Sequence, residues 1–183
     1  MFELTLGWMG TAFYILAHGW LSVLKRQPEQ GYYWANFLAA VLVALSSAML
    51  TSWQPVLING FWALVSLAAI YHFQLPNLNV SNRRIFILVC IMFCTGVLAL
   101  VLFGRTGIDI LAWSSVAAFC LSYWRFVARQ LSRKAYFLFG AYAAFTLLPK
   151  LYFDQNWPVF LLEVIWGGLS VIGYLRLCIS LKH

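Results

Sequence analysis

Residues 53–66 read WQPVLINGFWALVS, and residues 157–170 read WPVFLLEVIWGGLS. At a shift of 104 residues they place Trp53 on Trp157, Leu57 on Leu161, Trp62 on Trp166 and Ser66 on Ser170, with Asn59 opposite Glu163. Carried outward, the same register matches Trp20 with Trp124, Val23 with Val127, Tyr32 with Tyr136, Ala39 with Ala143 and Ala40 with Ala144. Matches among Leu or Ala mean little in a chain this apolar, whereas three tryptophan pairs are far from chance. The chain therefore contains an internal repeat. In an apolar protein such a repeat points both to the architecture and to where a site would sit.

The 183 residues are 63% hydrophobic and 9% charged, with a mean hydropathy of +0.83. A soluble domain carries about a quarter of its residues as charges, so the solvent for most of this chain is lipid. Seven apolar segments are long enough to cross a hydrocarbon core of about 30 Å: 4–24, 32–50, 54–71, 85–103, 108–127, 135–152 and 158–177. The expected fold is an all-α integral membrane protein with seven transmembrane helices. A signal peptide wants basic residues ahead of its apolar core, but no Lys or Arg precedes Lys25. The first segment is therefore expected to remain as a helix.

Charge sets the direction of the chain. One side carries Lys25, Arg26, Arg83, Arg84, Arg125, Arg129, Arg133, Lys134, Arg176 and Lys182. The other carries Arg105 and Lys150, beside Glu3, Asp109 and Asp154. By the positive-inside rule the N-terminus lies outside and the C-terminus in the cytoplasm, as expected of a multi-pass protein of the bacterial inner membrane. The net charge of +7 is then a matter of topology and anionic lipid, and no nucleic-acid partner is required. Cys90, Cys94, Cys120 and Cys178 all fall in apolar segments, which does not suggest a disulfide framework.

With helices 1–3 matching 5–7, helix 4 is a linker and the two triplets run parallel about an axis along the membrane normal. The expected organisation is a first three-helix repeat over 1–71, a linker with helix 4 over 72–107, and a second repeat with a short tail over 108–183. This 3+1+3 plan resembles the SWEET, PQ-loop and PnuC-type transporters. The Trp-x-x-x-Ser pairs, Trp62/Ser66 and Trp166/Ser170, look like those of bacterial inner-membrane proteins of the YgjV kind. In SWEET transporters each repeat gives a pocket asparagine from its third helix, which the resemblance assigns to Asn59 and Glu163. The acidic second partner favours a polar or cationic solute over a neutral sugar. Pro28, Pro55, Pro76 and Pro158 fall in loops or at span ends and only Pro149 inside a span, so most of the SWEET proline hinges are missing.

Helix 3 measured from Trp53 puts Asn59 about 9 Å deep, Trp62 about 13 Å and Ser66 about 20 Å. The three share one face, and Glu163, Trp166 and Ser170 repeat the column on helix 7. Trp62 and Trp166 thus lie near the midplane, where their faces can stack on a solute ring while Asn59 and Glu163 orient it. The other aromatics suit interfacial belts: Trp8, Trp53, Trp113 and Trp157 outside, and Trp20, Tyr32, Tyr33, Trp34, Trp124 and Tyr136 inside. Ser66 and Ser170 suit interhelical hydrogen bonds as well as a solute. His18 and Asn36 are further polar candidates within spans. A carboxylate at the depth of Glu163 must meet water, a base or a proton, and Lys150 is a candidate partner for which Asp154 competes.

The reading that follows is a transporter for a small polar or aromatic solute, its partners being that solute and the bilayer, with room for a homodimer. The alternative is a non-transport protein that organises lipid or assists assembly. An enzyme is not expected: the chain has no HExxH, no GxSxG and no Asp pair. Cys90 and Cys94 without nearby His or Asp make a poor metal site, and no cofactor is called for.

Overall fold

A computed structural model describes residues 1–23, 29–78 and 80–179. Among these residues there are seven helices and no strand: α1 (Phe2–Ser22), α2 (Gln30–Met49), α3 (Trp53–Ile70), α4 (Asn82–Phe103), α5 (Arg105–Val127), α6 (Arg133–Phe153) and α7 (Trp157–Ile179). Lys25, Arg26, Pro28, Lys182 and His183 lie outside the described residues. Five helices, α2, α3, α4, α5 and α7, are long and apolar enough to cross a membrane. Helices α1 and α6 are as long, at 21 residues each, but more polar: α1 buries Thr11, His18 and Ser22, and α6 carries Arg133, Lys134 and Lys150.

The helices close a ring. Helix α1 packs on α2, α2 on α3, α3 on α5, α5 on α6, α6 on α7, and α7 returns to α1, while α4 packs on α5. In the 104-residue register the α1–α2 contact corresponds to α5–α6, and α2–α3 to α6–α7. The two seams between the halves, α3–α5 and α7–α1, correspond to each other as well. Small residues set the close approach. Ala39, Ala40 and their counterparts Ala143 and Ala144 are fully buried. A Cβ on Gly10 would stand 2.7 Å from Val43 and 2.9 Å from the Ala39 carbonyl oxygen. In lipid, where apolar side chains gain little from burial, such contacts are the main source of helix association.

The backbone repeats the register too. Thr51 and Gln155, 104 residues apart, both take left-handed φ values of 56° and 54° as the chain turns from α2 into α3 and from α6 into α7. The next residues, Ser52 and Asn156, are fully buried, and each reaches across to the other half. Ser52 Oγ donates to Asp154 Oδ2 at 2.8 Å, and Asn156 Nδ2 donates to Ser47 Oγ at 3.0 Å. Thr11 Oγ1 adds a bond to the Pro158 carbonyl at 2.9 Å. At the opposite end a polar cleft of about 770 Å³ opens between Tyr33, His72, Asn77 and Arg129.

Two expectations change. Tyr32 and Tyr136 are 5% and 1% exposed, so they are ring-core residues and not interfacial anchors. Arg125 is not a loop cation. It lies within α5, 6% exposed, and donates to the carbonyls of Val80 and Gln130, fastening the segment before α4 to the end of α5. On α7, Gly167 and Gly173 face Phe145 and Phe137 of α6, whereas nothing lies within 4 Å of a Cβ placed on Gly168.

The α1–α2 contact supplies a test with its own control. Gly10→Val is expected to destabilise the protein by about 1–3 kcal/mol, since the backbone carbonyl it meets cannot move aside. Gly19→Val on the same helix, where nothing lies within 4 Å of the added carbon, is expected to shift stability by less than about 0.5 kcal/mol. Thermal or SDS unfolding of the two purified variants measures the difference.

Candidate functional site

The third helix of each half sends its Trp and Ser to one aromatic ring on the first helix of the other half. On α3, Trp62 stacks on Tyr123 of α5 with centroids 3.9 Å apart and planes at 13°. One turn further along, Ser66 Oγ and Tyr123 Oη lie 2.8 Å apart in a hydrogen bond. On α7, Trp166 stacks on His18 of α1 at 3.6 Å and 17°, and Ser170 Oγ lies 2.9 Å from His18 Nε2. The Trp-x-x-x-Ser spacing has a physical reason. Residues four apart lie one above the other on a helix, so the indole covers the face of the partner ring while the hydroxyl meets its polar atom. Gly140 leaves room for this arrangement: a Cβ there would stand 3.1 Å from Ser170 Oγ and 3.2 Å from Trp166 Nε1.

Between the two clamps the indoles of Trp62 and Trp166 meet edge to face, 5.2 Å apart at 72°. Tyr14 of α1 and Phe119 of α5 stand across both indoles at 79° to 89°. These four rings, with Ile58, Asn59, Leu162 and Glu163, enclose a cavity of about 20 Å³ open to the centre of a water molecule. That is room for about one water.

The pair opposed in the repeat, Asn59 and Glu163, is treated unequally. Tyr14 Oη donates to Asn59 Oδ1 at 2.7 Å, and Asn59 Nδ2 donates to the Pro55 carbonyl at 2.8 Å, which satisfies the amide. Glu163 is 6% exposed, and its Oε2 is buried without a hydrogen-bond partner. The ring that stands across the indoles as Tyr14 does is Phe119, which has no hydroxyl to offer the carboxyl. Lys150 does not compensate it either. That ammonium sits 3.1 Å from Asp109 and 3.0 Å from Asp154 at the Thr51/Gln155 end.

Of the eight residues singled out from sequence, Asn59, Trp62, Glu163 and Trp166 line the cavity, and His18, Ser66 and Ser170 hold its indole walls from behind. Asn36 is fully buried elsewhere, donating to the Tyr32 carbonyl at 2.7 Å. Sequence reading missed Tyr14, Phe119 and Tyr123. Their signal was an aromatic pair one turn apart on each first helix, Tyr14/His18 and Phe119/Tyr123. The second pair sits one residue out of register, so a search for identities at a shift of 104 passes over it. Among the described residues no group of three His, Cys, Asp or Glu side chains is placed to hold a metal ion.

The hydrogen-bonded clamp predicts a reversal. Ser66→Ala strands the buried Tyr123 hydroxyl and is expected to cost about 1 kcal/mol. Tyr123→Phe in the Ser66→Ala background removes the stranded group and is expected to recover most of that loss. Unfolding midpoints of the two single variants and the double variant give the coupling.

No curated protein and no solved structure matches the chain. One protein-family model matches it twice, over residues 5–76 and 108–181, with starts 103 residues apart and ends 105 apart, either side of the 104-residue register. Helix α4 lies between the two matched segments. The chain therefore belongs to this family, and in this chain each matched segment holds one three-helix half with one Trp-x-x-x-Ser column.

Proposed function

We propose that this protein is a 3+1+3 transporter of a small solute in the bacterial inner membrane, with its N-terminus outside, its C-terminus in the cytoplasm and its site between the two repeats. The observation that carries this reading is the buried, unpartnered carboxyl of Glu163 in a cavity between the halves. An uncompensated carboxylate in dry protein costs several kcal/mol. Acidic groups at such depth in membrane proteins mark proton or solute paths. A stability role is a poor explanation, because Gln or Leu at this place would avoid the cost.

The rest of the bundle supports the same reading. The outer end, by the charge asymmetry, is the Thr51/Gln155 end, where Ser52–Asp154 and Asn156–Ser47 tie the halves together and Lys150 holds Asp109 and Asp154 within the second half. The inner end has the polar cleft. This is the form of an occluded state closed on the outside. The two seams are equivalent, so parting one end while closing the other needs only a rocking of one repeat on the other. The resemblance to SWEET proteins assigns Asn59 and Glu163 the places of their pocket asparagines.

The tightness of the cavity favours the other reading, a scaffold with no solute path, and accessibility separates the two. In a variant with Cys90, Cys94, Cys120 and Cys178 replaced, Glu163→Cys in sealed vesicles is expected to react with a membrane-impermeant maleimide from either side. Bridging cysteines placed at Ser52 and Asp154 with a short bifunctional thiol reagent is expected to abolish reaction from outside only. A permanently dry core would leave Cys at this position unreactive from both sides in every condition, which contradicts alternating access.

A further inference from the structure

We propose that the solute of this site is an organic cation, an ammonium-type head held between the indoles of Trp62 and Trp166 with its charge on Glu163. The inference rests on the transport reading and goes beyond it to the chemical class of ligand.

The walls of the cavity carry the argument. The one ionisable acid among them is Glu163, and no Lys, Arg or His lines the cavity. The Tyr14 hydroxyl and the Asn59 amide are committed to each other and to the Pro55 carbonyl, which leaves the buried Nε1–H groups of Trp62 and Trp166 as the two free donors. A sugar or nucleoside has several hydroxyls to satisfy, and a site built for one supplies a matching number of free donors and acceptors. A hard inorganic cation needs about six oxygen ligands, and this cavity offers a carboxyl and little else. The four rings supply what those ligands would not use. Tyr14 and Phe119 each meet both indoles at 79° to 89° and the indoles meet each other at 72°, edge to face, as a contracted box beside the carboxyl. Aromatic faces attract a weakly hydrated cation through their quadrupole, most strongly when water is excluded, and quaternary ammonium groups are the standard ligand of such boxes.

The geometry also says how the box would change size. One face of each indole is covered by the ring from the other half, Tyr123 over Trp62 and His18 over Trp166. Parting a seam slides that ring away and widens the box together with the path to it. In the closed form the box holds about one water, so a bound cation and the closed form exclude each other. The carboxyl draws the cation in, and the contraction of the box expels it.

Binding is tested on the full chain in nanodiscs by intrinsic tryptophan fluorescence and thermal unfolding. The probes are tetramethylammonium, choline and benzyltrimethylammonium, with 3,3-dimethylbutanol as the uncharged isostere of choline and sodium chloride as the ionic-strength control. Saturable responses to the ammonium probes are expected, with the neutral isostere at least about tenfold weaker. Glu163→Gln is expected to weaken choline at least as much, and Glu163→Asp to keep part of the affinity. If the glutamine variant fails to fold, the comparison of choline with its isostere on the natural chain still decides. Equal binding of the isostere, or no saturable response to any ammonium probe up to about 10 mM, overturns the proposal. Proteoliposomes separate this claim from the one beneath it. Choline that binds without counterflow upholds the cation site and overturns transport. Uptake of a neutral solute, unaffected by ammonium probes, upholds transport and overturns the cation.

Discussion

The structure depends on two aromatic stacks that cross between its halves. Trp62 on Tyr123 and Trp166 on His18 are the places where one three-helix unit grips the other near the middle of the ring. Each stacked pair contributes about 0.5–1.5 kcal/mol beyond its buried area, and each Ser hydroxyl adds an interhelical bond of about 0.6 kcal/mol in lipid. The two clamps together therefore contribute a few kcal/mol. That is enough to help define the closed state, and the proposed transport requires a parted state within a few kcal/mol of it. A seam made of large, interlocked apolar surfaces would leave no such second state within reach.

The candidate site lies where the repeat is broken. The clamps are equivalent in plan, yet one grips a phenol and the other an imidazole. Tyr14 caps Asn59, while Phe119, the matching ring one residue out of register, has no hydroxyl for Glu163. A fully symmetric pair of halves would satisfy both polar groups or neither. The exchange of a phenol for a phenyl ring at this place leaves the carboxyl in the cavity without a donor.

Much of the architecture was legible in the sequence. Three tryptophan pairs at one shift set the halves, and the apolar runs placed seven helices within a few residues of their observed limits. The depth ruler brought Asn59, Trp62, Glu163 and Trp166 to one cavity because a straight helix preserves both face and depth. Three things were hidden. The partners of the clamps sit one residue out of register, which identity counting cannot detect. Tyr32 and Tyr136 lie at the ends of their helices, where a Tyr in a belt and a Tyr in a core read alike. Lys150 has carboxylates at Asp109, Asp154 and Glu163 among its sequence-level choices, and only the packing of α5 against α6 brings Asp109 to it. Ring order was not legible at all: nothing in the chain states that α3 meets α5 and α7 meets α1.

The central claim is that the halves rock about the clamps, so their two ends must open in opposition. Leu57 and Leu161, exposed counterparts near the Thr51/Gln155 end, and Tyr71 and Leu175, exposed counterparts at the other, are suited to paired spin labels. Double electron–electron resonance in nanodiscs is predicted to show two distance populations for each pair, the first lengthening under conditions that shorten the second. A single narrow distance for both pairs, unchanged by ligand or by loss of the clamps, would contradict the account.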